Sequence, residues 1–367
     1  MKKIIIFGYG KIGKDFLRIV EDKYSSEISV VAISDNSFNH NFTRNNQMFI
    51  CPKYINDMTY DDIYVCTVYC DDIVIDLVEN YGIDRGKIRT IEDPAAIYLG
   101  DLIKQRNIDE VNPKFRGLYQ YAQKQNVVPM FCYEYVNDYK EENVEVFFDE
   151  KADMYYGIIS GKKVYLSKRI NSKKRARRYL NSILIEQDYR SPHFYNARKY
   201  LHKGCTCIDV GAAEGIFALE SIDTLNKVYM VEADAGWIPA LQQTYVDNSE
   251  KIEIIEGFAS DISEGKEIRL DDCIKDKIDV IKIDIEGAEK RALDGMEGII
   301  RQYHPVMEVC TYHNCDDYEI IKEWLERRGY HTYPVDGYML CMAMWEIDNE
   351  CNYDFRHGVI IGEYAND

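Results

Sequence analysis

Long apolar runs are missing from this sequence: the longest, Tyr338–Trp345, has eight residues, against the roughly 20 that a membrane-spanning helix needs. A transmembrane helix is therefore excluded. Basic charge is scarce as well. Forty-five Lys and Arg face 63 Asp and Glu, for a formal charge of -18, which opposes a general affinity for nucleic acid phosphates. The 11 cysteines include no repeated Cys-x-x-Cys pair, so they read as reduced thiols and not as a disulfide framework. After Met1-Lys2-Lys3 comes only a short apolar strand without a small-residue cleavage site, so the expectation is no secretory leader and a cytoplasmic protein. No internal repeat or low-complexity stretch is present.

What is there is ordinary globular composition, 46% hydrophobic and 29% charged over 367 residues, enough for two or three domains. Thirty tyrosines stand out. Tyrosine stacks on sugar rings and donates hydrogen bonds, although A/T-rich coding also raises its frequency, and that plainer cause carries the greater weight.

The first segment reads as strand (3–7), Gly-rich turn (Gly8, Gly10, Gly13), helix (14–23) and strand (28–34), a βαβ unit ending at Asp35. That acid stands where a dinucleotide fold holds a ribose. With a strand at 62–68, a helix at 72–81 and a short strand at 87–91, residues 1–98 form a small Rossmann-like α/β domain. A possible second nucleotide site, for NAD(P) or a nucleotide-sugar, therefore comprises Gly8, Gly10, Gly13 and Asp35. No Tyr-x-x-x-Lys dehydrogenase motif lies within residues 1–98. The unit is similar to small nucleotide-binding modules attached to enzymes of bacterial surface-sugar metabolism.

Residues 99–190 read as a helical and hairpin linker or cap. Within it, 162–178 carries nine Lys or Arg and no acid, a run that would steer an anionic acceptor. From 191 to 367 strands recur near 206–210, 227–232, 252–257, 278–284 and 305–311 with helices between, which predicts a parallel sheet covered on both faces. Cys341–Ile347 and Gly358–Gly362 lack an intervening helix-length insert, so they could pair as an antiparallel hairpin at the sheet edge.

The sharpest feature is Cys207-Ile208-Asp209-Val210-Gly211-Ala212-Ala213-Glu214-Gly215-Ile216-Phe217. An apolar strand runs into an acid, then into small residues, then into a helix whose free N–H groups suit an anionic group. The next strand ends in Glu232, well placed for ribose hydroxyls. These residues describe a site for a nucleoside-containing cofactor. In Asp279–Glu289, alternation would put Lys282, Asp284 and, if the strand continues, Glu286 on one face at the carboxyl end, where open α/β sheets bind ligands.

The Asp-x-Gly-Ala motif followed by Lys282-x-Asp284-x-Glu286-Gly287-Ala288-Glu289 resembles the FkbM family of S-adenosylmethionine-dependent methyltransferases. The resemblance spans about residues 130–340 and includes Glu186-Gln187-Asp188, Ser191-Pro192-His193, Leu270-Asp271-Asp272, Leu293-Asp294-Gly295 and Cys310-Thr311-Tyr312-His313. It implies a class I methyltransferase fold with a seven-stranded, mostly parallel sheet. It implies that Asp209, Gly211, Ala212, Ala213 and Gly215 cradle the methionine part of the cofactor, with Glu214 and Phe217 in the same run. Glu232 would take the ribose, Ala233, Asp234 and Trp237 would flank the adenosine, and Phe258, Ala259 and Ser260 would border the adenine. Asp284 belongs to the cofactor set too. Many members carry Asn where this chain has Ala213.

Methylating a hydroxyl requires a base within hydrogen-bond reach. Asp284 comes first by position, Glu286 is its neighbour, and His313 and His193 could enter the cleft from flanking segments. Asp284 and Glu286 could instead hold Mg2+, or cap the following helix. Cys310, His313 and Cys315 fit no common zinc template. The expectation is thus O-methylation of a sugar or nucleotide-linked sugar in polysaccharide biosynthesis, by a chain that could form a homodimer. The alternatives are a nucleotide-sugar oxidoreductase working through the N-terminal site and a non-catalytic nucleotide-binding scaffold.

Overall fold

The computed structural model describes residues 1–67, 70–91, 100, 102–125, 128–342 and 353–365. They fall into two compact units, the first made of Met1–Val128 with Met342–Tyr353 and the second of Pro129–Cys341 with Asp354–Asp367. The mixed α/β architecture comprises a seven-stranded, mostly parallel sheet in the second unit and a smaller α/β sheet in the first.

In the first unit, β1 (Lys2–Phe7), β2 (Ile28–Ser34), β3 (Phe42–Arg44), β4 (Gln47–Ile50), β5 (Asp62–Cys66) and β6 (Ile88–Ile91) lie in the order β3-β4-β2-β1-β5-β6. Ile4, Ile5 and Ile6 at its centre are fully buried, because helices Lys11–Lys23 and Cys70–Glu79 need apolar surface to pack on. The turn after β1 is glycine for a steric reason. Gly8 has φ +96°, and a Cβ on Gly13 would stand 1.9 Å from the Gly8 carbonyl oxygen.

The second unit opens with an antiparallel three-stranded sheet, β7 (Phe147–Asp149), β8 (Met154–Ile159) and β9 (Lys162–Tyr165). Val164 of β9 and Leu180 of the helix Lys173–Glu186 share a buried cluster with Phe217. The basic segment thus packs with this unit. Its helix is capped by Ser172, whose hydroxyl accepts the Arg175 N–H.

The main sheet is built from β10 (Thr206–Val210), β11 (Lys227–Glu232) and β12 (Ile252–Glu256), then, after the short pair β13 (Phe258–Ala259) and β14 (Glu267–Ile268), from β15 (Val280–Ile283), β16 (Val306–Cys310) and β17 (Tyr330–Pro334). Its order is β12-β11-β10-β15-β16-β20-β17, where β20 is Val359–Tyr364. One face packs Leu180, Phe217 and Leu241, and the other packs Leu293, Ile321 and Trp324. Every residue of β10 and β15 is buried, as a sheet covered on both faces requires.

The expected C-terminal edge hairpin does not form. β20 runs antiparallel between β16 and β17, inside the sheet, while β18 (Met339–Met342) pairs with β19 (Tyr353–Arg356) in a separate ribbon. Val359, Ile360 and Ile361 are buried whichever way they point, so β20 needs a neighbour on each side, and the half-exposed β17 takes the edge. Residues 343–347 of the expected partner strand lie outside the described residues. Among those described, no helix is long and apolar enough to cross a membrane.

Candidate active site

The strand order reverses direction at β10, whose neighbours are β11 on one side and β15 on the other. Crevices outside the carboxyl ends at such a switch point are where open α/β sheets bind ligands. A cleft of about 440 Å3 opens there between Gly211, Glu232, Trp237, Phe258 and Asp284. A second lobe of about 210 Å3 adjoins it and shares Gly211, Ala213, Asp284 and Glu286.

The loop after β10 is fixed by backbone geometry. Gly211 has φ +77°, and a Cβ there would meet the Asp284 carbonyl oxygen at 1.9 Å. Ala213 also adopts a left-handed φ of +45°, and its N–H donates to Glu232 Oε2 at 2.8 Å. Glu232 Oε1 accepts the Asp234 N–H at 2.7 Å, so one carboxylate ties the loop after β10 to the loop after β11. Gly215 is left-handed too, and Tyr245 donates its hydroxyl to the Gly215 carbonyl.

Beneath the loop runs a row of buried charges. Asp209, Lys282 and Glu308 are in register across β10, β15 and β16. Lys282 Nζ lies 3.0 Å from Asp209 Oδ1 and donates to the Gly211 carbonyl at 2.7 Å. Burial works against the charge on Lys282, but Asp209 and Asp284 overcome it and raise its pKa. Burial likewise pushes the Asp209 carboxyl above the usual range, with Lys282 pulling against it.

Asp284, just past β15, sits between two histidines. His193 Nε2 is 3.5 Å from Asp284 Oδ2 and His313 Nε2 is 3.6 Å from Oδ1. Each imidazole turns its other nitrogen to a glutamate: His193 Nδ1 to Glu186 at 3.2 Å, His313 Nδ1 to Glu289 at 2.9 Å. Tyr195 donates to Asp284 Oδ2 at 2.8 Å, and Tyr312 lies 3.4 Å from Oδ1. Burial alone would push the Asp284 carboxyl up, yet His193, Lys282, His313 and Tyr195 hold it down to about 2. Both imidazoles move the other way. Burial lowers them, and the carboxylates more than reverse that.

The second lobe is acidic. Glu186, Asp209, Glu214, Asp284 and Glu286 line it against the single cation Lys282. Tyr179 donates to Glu214 Oε2 at 2.9 Å, and burial, reinforced by Glu186, raises the Glu214 carboxyl to about 7.

Residues 226–332 match the family model of the methyltransferase FkbM domain. This chain carries a methyltransferase FkbM domain. Residues 1–89 match a second model, the C2185-like N-terminal domain. Solved structures similar to the chain include a methyltransferase FkbM from Methylobacillus flagellatus KT, at 14% identity and TM-score 0.40 over 98% of this chain and 90% of that one. A precorrin-6y C5,15-methyltransferase from Geobacter metallireducens GS-15 is similar at 15% identity and TM-score 0.34, over 55% of this chain and 94% of that one. No curated protein matches.

Of the expected residues, Gly211, Ala213, Glu232, Ala233, Asp234, Trp237, Phe258, Ala259, Asp284 and Glu286 line the larger cleft, and Ala212, Glu214 and Phe217 line the acidic lobe. Asp209 lines the acidic lobe as well, its carboxylate held by Lys282. Two expected cofactor residues stand apart: Ser260 is buried and donates its hydroxyl towards Asp261 and Glu267, and Gly215 faces Leu241 and Tyr245. Strand alternation does not carry on to Glu286. The chain turns at Glu286 (φ +59°) and Gly287 (φ +96°), leaving the Glu286 side chain 94% exposed.

Tyr179, Tyr195 and Tyr312, Glu186 as a partner of His193, and Glu289 as a partner of His313 were not singled out by pattern. For Glu186, Tyr312 and Glu289 the signal was there, inside three of the quoted motif blocks; for Tyr179 and Tyr195 only the tyrosine count hinted at it. Part of the basic run is paired in place: Lys162 pairs with Asp223, Lys168 with Asp153, Arg169 with Asp234 and Arg178 with Glu141. In the first unit Asp35 accepts the N–H groups of Tyr9 and Ser37, which pins the Gly-rich turn from beyond β2.

Proposed function

We propose that the domain binds S-adenosylmethionine in the larger cleft and methylates a hydroxyl held in the acidic lobe. The observation that carries this reading is the joining of the two lobes at Asp284, which gives cofactor and acceptor a common boundary. The donor set suits the cofactor. Glu232 closes the end of β11 with acceptor capacity left over for ribose hydroxyls, and Phe258, 54% exposed at the cleft wall, offers an apolar face to an adenine ring. When bound, the cofactor supplies an electrophilic methyl group.

The chain's own residues would position the acceptor and take its proton. Asp284, held near 2, is too weak a base for that, and it serves better as a fixed anchor for the acceptor's hydroxyls. Glu214, raised to about 7, is matched to neutral pH. Five carboxylates around one lysine favour a neutral polyol or an amine-bearing sugar over a phosphate-linked one. A nucleotide-linked sugar would have to keep its phosphates outside the lobe.

Calorimetric titration of the full chain with S-adenosylmethionine tests the cofactor assignment. One site is expected, weakened about 10-fold or more in Glu232→Gln, weakened about 5- to 100-fold in Phe258→Ala, and unaltered in Gly10→Val. Absence of binding, together with nicotinamide uptake that Gly10→Val abolishes, would replace this reading with an oxidoreductase of the N-terminal unit.

A further inference from the structure

We propose that Asp284, Glu286 and His313 form a divalent-cation site at the junction of the two lobes, with Glu289 orienting the imidazole. The side chain of His313 is only 8% exposed, and its Nε2 makes no hydrogen bond. That nitrogen faces Asp284 Oδ1 at 3.6 Å and Glu286 Oε2 at 3.8 Å. Both spans are long for a charge-assisted hydrogen bond of about 2.7–2.9 Å. They lie within a few tenths of an ångström of the separation, about 3.4 Å, between two ligands that each stand about 2.1 Å from a shared ion.

The far side of the ring has the arrangement that metal-binding histidines show. Glu289 is buried, and its Oε1 lies 2.9 Å from His313 Nδ1 while accepting the N–H groups of Ile285 at 3.0 Å and Gly287 at 3.3 Å. A carboxylate anchored in this way orients the ring so that Nε2 faces Asp284 and Glu286. Glu286 stands on the solvent side, free to swing inward.

One imidazole with two carboxylates suits a first-row divalent ion such as Mn2+ better than Ca2+. Asp284 and Glu286 line both lobes, so the ion's open positions would face the acceptor. Holding the acceptor's oxygen and lowering the pKa of its hydroxyl is the role this implies. That role rests on the methyl-transfer reading, whereas the site itself does not.

The test is titration of the cofactor-free full chain with Mn2+ alone, followed by loss of the free-ion signal in electron paramagnetic resonance. One ion per chain is expected, with affinity reduced at least about 10-fold in His313→Ala and Glu286→Gln, and about 10- to 100-fold in Glu289→Gln. Glu286 is exposed, so Glu286→Gln probes the site without disturbing the core. No uptake, or uptake equal in wild type and Glu286→Gln, would overturn the proposal. S-adenosylmethionine is titrated separately: Mn2+ uptake without cofactor binding removes the cofactor reading and leaves the metal site, and the reverse removes only the metal site.

Discussion

Lys282 and Asp209 face each other across the two central strands of the main sheet, 3.0 Å apart and almost completely buried. The same ammonium holds the Gly211 carbonyl, so the ion pair fastens the loop after β10 to β15. Removing one partner leaves an unpaired buried charge. Lys282→Met should destabilise the second unit by about 3–5 kcal/mol, read as a lower midpoint in chemical denaturation, and Asp209→Asn in the same chain should recover much of the loss. A midpoint unchanged by Lys282→Met alone would mean that the pair does not support the fold. Loss of ligand binding in Asp209→Ala would therefore report folding as much as recognition.

The loop between these residues contains one required glycine and one strained alanine. Gly211→Ala drives a Cβ into the Asp284 carbonyl at positive φ, for a cost of about 3 kcal/mol or more. Ala213 occupies a left-handed conformation that Asn tolerates better. Ala213→Asn should raise stability by about 0.5–1 kcal/mol, measured as a denaturant midpoint. A lower midpoint would show that the alanine is required by its surroundings.

Glu308 gives the second unit a pH dependence of known sign. It is fully buried in register with Lys282, and burial raises its carboxyl from an ordinary 4.5 to about 7. Between those values the folded state binds more proton than the unfolded one, so this residue's contribution to stability falls as pH rises from 4.5 through 7. Glu308→Gln should be more stable than wild type by roughly 1–3 kcal/mol at pH 8, with the gap narrowing towards pH 5. A gap constant over that range would assign the effect to packing.

If Glu214 takes the acceptor's proton, the rate should rise with pH through about 7. Glu214→Gln should then lose that limb and about 10²- to 10⁴-fold in kcat. An unaltered limb in Glu214→Gln would move the titration to another group.

Much of this site was legible in the sequence because its signals are local. Apolar runs ending in an acid, small residues at a turn and a helix behind them placed the ends of β10, β11 and β15 in order along the chain. The C-terminal strands were not legible in the same way. Whether β20 pairs with its predecessor or inserts between β16 and β17 depends on which buried edges remain to be covered, and no local pattern records that.

The sequence by itself determined two α/β sheets, the loop at Asp209–Gly215, the acid at Glu232 and the block from Lys282 to Glu289, because strand periodicity and glycine geometry act over a few residues. Only the tertiary structure decided that Lys282 turns to Asp209, that His193 from one segment and His313 from another close on Asp284, and that three tyrosines place hydroxyls at the carboxylates of one lobe. Those relationships join residues up to about 90 positions apart, and strand order rather than chain order brings them together.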